Sequence, residues 1–101
     1  MARKQLQTLT EPMYYVLLCL KEPLHGYGIM QKIDEITNGR LKVGPGTLYN
    51  LMDRFVKEEI VKRVDTSGKK KTYQLTDKGN ELLNEEIKRL KILISDGEKM
   101  I

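Results

Sequence analysis

Thr47, Asn50, Arg54 and Lys57 recur at intervals of three and four residues, a spacing that stacks side chains along one side of an α-helix. On that helix Gly46, Asn50 and Lys57 point directly away from the apolar stripe. Thr47 and Arg54 flank one side of this outer face, and Tyr49 with Asp53 the other. An amide, a hydroxyl, a phenol and cations are the groups that read base edges and hold phosphates. The same face would also suit an ordinary solvated helix, so the segments around it must decide.

The helix that carries these residues starts at Gly44-Pro45, glycine as N-cap and proline where no hydrogen bond is lost. Leu48, Leu51, Met52 and Phe55 form its inner stripe. After it, Ile60 to Asp65 is β-branched and strand-like, Thr66-Ser67-Gly68-Lys69 has turn chemistry, and Lys71 to Leu75 alternates as a return strand. The hairpin is tipped by Lys69, Lys70 and Lys71. A basic hairpin directly after such a helix is a wing, placed to meet phosphates or a minor groove, whereas the alternative is a merely solubilising loop. Residues 40–71 hold nine cations against four anions, while the whole chain carries a formal charge of +4. The basic excess therefore lies on the helix and hairpin, the footprint expected for nucleic acid.

The remaining elements must hold that pair in place. Thr10 can cap a first helix opening on Glu11-Pro12, with Met13, Val16, Leu17 and Leu20 inward and Lys21-Glu22-Pro23 as its stop. A second helix is expected from about His25 to Thr37, burying Ile29, Met30, Ile33 and Ile36 and closed by Asn38-Gly39. Gly26 and Gly28, poor helix formers near its start, suggest close backbone packing or a sharp entry there. Arg40-Leu41-Lys42-Val43 reads as a very short strand, in a connection too long for a tight helix-turn-helix. Thr76 or Asp77 caps a last helix running to about Ser95. Its Leu83, Ile87, Leu90 and Ile94 follow a heptad seam. Each Leu or Ile left in water forfeits roughly 1.5–3 kcal/mol, so a partner subunit is expected on this seam, joined by Met13 and Leu17 of the first helix. The expected fold class is mainly α with a small β-hairpin: a winged helix-turn-helix over 1–76, then a long C-terminal helix over 77–101 that dimerises.

Other chemistries fare poorly. One His and one Cys, with no Cys-x-x-Cys, ligand-spaced His pair or nucleotide-binding glycine loop, argue against an enzyme, a metal site or a cofactor. Cys19 sits among Val16, Leu17 and Leu20, reads as a buried structural thiol, and fits a reducing cytoplasm. His25 is expected to pack or hydrogen-bond at the start of the second helix, close to DNA. Glu81, Glu85 and Glu86 alternate with Lys88, Arg89 and Lys91 and read as a solvated face. No apolar run is long enough to cross a membrane. The competing class is a winged-helix adaptor that binds protein, but such an adaptor needs no concentrated basic segment.

Three runs, Leu24-His25-Gly26-Tyr27-Gly28-Ile29, Val43 to Tyr49 and Tyr73-Gln74-Leu75-Thr76-Asp77-Lys78-Gly79, resemble in order and spacing the PadR family of transcriptional regulators. The resemblance implies a dimeric winged helix-turn-helix on double-stranded operator DNA, of the short-tailed branch in which the helix after the wing dimerises. It also implies repression relieved by a small aromatic or drug-like effector, with Tyr49 on phosphate. Tyr14, Tyr15 and the seam of the last helix are candidate lining for that effector, the alternative being that the two tyrosines are core or interface residues. Two positions depart from the family pattern. Glu58-Glu59-Ile60 replaces the glycine usual at the end of the third helix, and Gly28 stands where an acidic residue is common. The chain also has no tryptophan, so members that stack planar drugs on one are a poor guide to a ligand here.

Overall fold

The computed structural model describes residues 8–65 and 71–101. Helices and strands follow in the order α1 (Glu11–Cys19), β1 (Leu24–His25), α2 (Gly26–Ile36), α3 (Pro45–Lys57), β2 (Val61–Arg63), β3 (Thr72–Leu75) and α4 (Asp77–Met100). Each helix starts where its capping chemistry lies. Thr10 Oγ1 accepts the Met13 N–H at 3.3 Å, and Glu11 and Pro12 fill the first turn of α1. His25 Nδ1 accepts the Gly28 N–H at 3.1 Å, making histidine the N-cap of α2. Gly44 precedes Pro45 in extended backbone and caps α3 without a side chain.

Two helices end in the same way. Past α2, Asn38 and Gly39 take φ of 58° and 78°, and the Gly39 N–H reaches Asp34 O at 2.8 Å. Past α3 the left-handed residue is Glu59, φ 63°. There the Ile60 N–H donates to Phe55 O at 2.9 Å and the Glu59 N–H to Val56 O at 3.0 Å. This pair of bonds is the Schellman closure that glycine ordinarily serves. The bend survives without its glycine.

The sheet has one strand more than the hairpin predicts. β3 lies centrally in the order β1-β3-β2, antiparallel to both neighbours. Leu24 pairs with Tyr73 and His25 with Thr72, so the strand that enters α2 is stitched to the wing. The strand expected at Arg40 to Val43 is instead irregular. Thr37 Oγ1 accepts the Leu41 N–H at 3.2 Å, Arg40 bonds Glu11 and Tyr15, and Lys42 Nζ lies 2.9 Å from Asp34 Oδ1. These bonds to helices replace a neighbouring strand.

α1, α2, α3, the sheet and the first half of α4 enclose one core around Leu17, Leu20, Ile33, Leu48, Phe55, Ile60 and Leu83. Several seam expectations are corrected by it. Met13, Leu17 and Leu83 are buried within the protomer, because α1 packs on α4, so these three offer no surface to a partner. Ile36 is exposed, since α2 buries only the side carrying Ile29 and Ile33. Glu86 belongs to no solvated face: it is 3% exposed, and its carboxylate accepts from Arg89 Nε (2.9 Å), Arg89 Nη2 (2.6 Å) and the Leu9 N–H (3.3 Å). Ile87 and Leu90 are half-buried, and every residue from Lys91 onward is exposed, Ile92, Leu93 and Ile94 among them. Among the described residues no helix is long and apolar enough to cross a membrane.

Candidate nucleic-acid interface

α3 divides cleanly into two sides. Leu48, Met52 and Phe55 are fully buried and Leu51 half-buried, which fixes the rotation of the helix about its axis. That rotation turns Gly46, Thr47, Tyr49, Asn50, Asp53 and Lys57 outward, all exposed, with Arg54 half-buried beside them. A Cβ added at Gly46 would meet nothing within 4 Å, so the first turn of α3 faces open space. The N-terminal half of the helix thus projects an amide and a hydroxyl beyond the protein surface. Its cations lie in the last turn, where they also suit the negative end of the helix dipole.

Tyr49 connects this face to α2. A Cβ on Gly26 would fall 2.3 Å from Tyr49 Oη, so the phenol rests directly on the first-turn backbone of α2 and would have to shift for any larger residue. Gly28 is crowded likewise by Leu24 and His25. The close packing expected from Gly26 and Gly28 is present, and its cause is the phenol on one and the β1 side chains on the other. His25, Gly26, Tyr27, Tyr49 and Lys71 line a shared concavity of about 420 Å³. It gathers the start of α2, the outer side of α3 and the return of the wing. Anions favour such a place: a helix N-terminus directs N–H groups and partial positive charge outward, a phenol donates, and lysine adds a full charge. His25 accepts at Nδ1, which leaves the ring N–H at Nε2.

Lys71 is exposed at the foot of β3. Lys69 and Lys70 lie outside the described residues. Sequence reasoning missed Tyr27, an exposed aromatic on the concavity, and Tyr73, buried on β3 with its phenol pushed up by burial. Tyr27 carried no periodic signal, sitting beside glycines at a helix start. Arg63 is held by Asp65 through two bonds of 3.0 Å, which lower the aspartate below the usual carboxylate range.

The transcriptional regulator PadR-like family matches residues 16–85. An uncharacterised 37.1 kDa protein in a transposon of Streptomyces fradiae is 38% identical over 64 residues, which cover 63% of this chain and 18% of that protein. This chain thus spans under a fifth of that relative. A PadR-like transcription factor from Bacteroides fragilis superposes with a TM-score of 0.74 at 32% identity, covering 89% of each chain. A PadR family transcriptional regulator from Eggerthella lenta gives a TM-score of 0.76 at 26% identity, over 88% of this chain and 80% of that one. With its three motifs, the winged architecture and a family match over most of its length, the chain belongs to the PadR-like family of transcriptional regulators.

Proposed function

We propose that the protein is a homodimeric repressor that works in the cytoplasm on a palindromic operator, with α3 of each protomer in a major groove. The observation that carries this reading is the outward N-terminal half of α3, where Thr47 and Asn50 stand exposed over open space. Asn50 reads an adenine edge, and Thr47 and Gly46 approach beside it. Tyr49, Lys71 and the His25–Gly26 turn hold one backbone phosphate at the shared concavity, Arg54 and Lys57 flank the groove, and Lys69 and Lys70 of the wing take further phosphates. Dimerisation uses the distal half of α4, whose exposed Ile92, Leu93 and Ile94 support the reading, with Ile87 and Leu90 at the edge of the seam. Release by a small aromatic effector belongs to the same proposal. The half-buried Tyr14 and Tyr15, edge to face at 5.5 Å, give it an aromatic surface.

Selection of duplexes from a randomised pool, followed by binding at several salt concentrations, tests the first part. The parent should enrich an inverted repeat, and Asn50→Ala should lose about 1–3 kcal/mol of discrimination at one base pair per half-site. Lys71→Ala should flatten the log–log salt slope by about two units in a dimer. Salt-insensitive or absent DNA binding would instead favour a protein-binding adaptor. Sedimentation of a Leu93→Asp, Ile94→Asp variant tests the dimer: it should run as a folded monomer, and an unchanged dimer would refute this seam.

A further inference from the structure

The wing returns to α4 through Leu75-Thr76-Asp77-Lys78-Gly79, and this run is bonded in two directions. Thr76 Oγ1 accepts the Gly79 N–H at 3.0 Å and so caps α4. The same hydroxyl lies 2.7 Å from Glu59 O and 3.1 Å from Ile60 O, and its proton goes to these carbonyls just past the end of α3. The Thr76 N–H donates to Ile60 O at 3.0 Å. Lys78 Nζ donates to Glu58 O at 2.9 Å. Three successive carbonyls, 58, 59 and 60, are therefore held from the first turn of α4. Gly79 presses its backbone on the same spot, for a Cβ there would stand 2.1 Å from Ile60 O.

Capping α4 requires the Thr76 oxygen alone. It requires neither the Lys78 ammonium nor the contact at Gly79. Those two features act on Glu58 and Ile60 at the bend that closes α3, and the opposite end of that helix carries Thr47 and Asn50. From Glu58 back to Thr47 is about 16 Å of helix at 1.5 Å per residue. A tilt of about 5° at the held end would move the outward residues by more than 1 Å over that span, whereas a productive contact tolerates only about 0.5 Å.

We propose that Thr76 and Lys78 are positioning residues for DNA recognition: they fix the carboxyl end of α3 against α4 and thereby aim its other end. The inference rests on the reading of α3 as the base-contacting helix. It also makes α4 the element through which anything bound to that helix would re-aim α3.

Lys78→Met removes the ammonium bond and leaves the cap of α4 and the alkyl stem. Thr76→Val removes both functions of the hydroxyl, and Thr76→Ser restores them. The probes are a duplex selected by the parent from a randomised pool and a scrambled duplex of equal composition. The ratio of affinities for the two should fall about fivefold or more in Lys78→Met, as for one lost base contact. It should fall further in Thr76→Val and return to the parent value in Thr76→Ser. The salt slope on the scrambled duplex should not change, because phosphate contacts tolerate a small tilt. A parental ratio in Lys78→Met overturns the proposal, and so does a flattened salt slope, which would make Lys78 a phosphate contact. If circular dichroism shows that Thr76→Val does not fold, Lys78→Met alone decides. A parent that enriches no sequence refutes the reading of α3 itself, a result distinct from a selective parent with indifferent variants.

Discussion

Replacing Glu59 with glycine isolates the energetics of the bend after α3. Glu59 is held at φ 63°, where an L side chain crowds its own backbone, at a cost of roughly 1–2 kcal/mol. Glycine adopts this conformation freely but gives the unfolded chain more freedom, an opposing term of roughly 0.5–1 kcal/mol. The Glu59 N–H bond to Val56 O, the Ile60 N–H bond to Phe55 O and the Thr76 bond to Glu59 O use only backbone atoms of the bend, so they persist in the variant. The Glu59 side chain is exposed. Glu59→Gly should then stabilise the protein by about 0.5–1 kcal/mol, or about 2–8 °C in Tm for a domain of this size. Thermal and urea unfolding by circular dichroism measure it. Glu59→Ala is the control, since alanine removes the charge but keeps the Cβ. If alanine stabilises as much as glycine, charge and not backbone conformation is responsible, and a glycine variant no more stable than the parent refutes the reasoning outright.

Three more outcomes follow from contacts described above. Gly79→Ala drives a methyl toward Ile60 O and should cost about 1–3 kcal/mol, visible as a lower urea midpoint; an unchanged midpoint would show that α4 can withdraw freely. Hydrogen bonds from Arg89 hold the Glu86 carboxyl below its usual value, against the opposing effect of burial. Its contribution is therefore complete above the ordinary carboxylate pKa and lost as pH falls through the lower folded value. Glu86→Gln should destabilise at neutral pH and reduce the loss of stability as pH falls below the ordinary carboxylate range, and an unaltered pH profile would exclude Glu86 as a source. Burial pushes the Cys19 thiol up to about 11, so a disulfide reagent at pH 8 should label it only at the rate of opening, and fast labelling of the native protein would contradict its burial.

Local chemistry made much of this legible. Thr10 with Glu11-Pro12, Gly44-Pro45 and Asn38-Gly39 mark helix ends through rules that act within a few residues, and the helices end there. The rotation of α3 followed from the stripe Leu48, Leu51, Met52 and Phe55. What escaped depends on distant partners. β1 has two residues, too few for any periodicity, and exists because Tyr73 and Thr72 offer it a neighbour. An apolar stripe looks the same whether its own domain or another molecule covers it, so Leu17 and Leu83 read as interface while the core already enclosed them. Glu86 looks like any surface carboxylate until Arg89 and the Leu9 amide close on it.

The unbroken course of α4 from Asp77 to Met100 has a consequence for how such a tail can change length. Its root is fixed at Gly79 and Leu83, and its free apolar residues lie more than two turns away. One residue inserted just after Leu90 would advance the tip by about 1.5 Å but swing Ile92, Leu93 and Ile94 through about 100°. Two would turn them nearly to the opposite side. Seven would bring them back to within about 20° of their original bearing. The tail therefore behaves like a keyed shaft: whatever meets its tip is set by how the residue count falls against the 3.6-residue turn, and a deletion or extension that does not complete whole turns would present a different flank while the body below keeps its contacts.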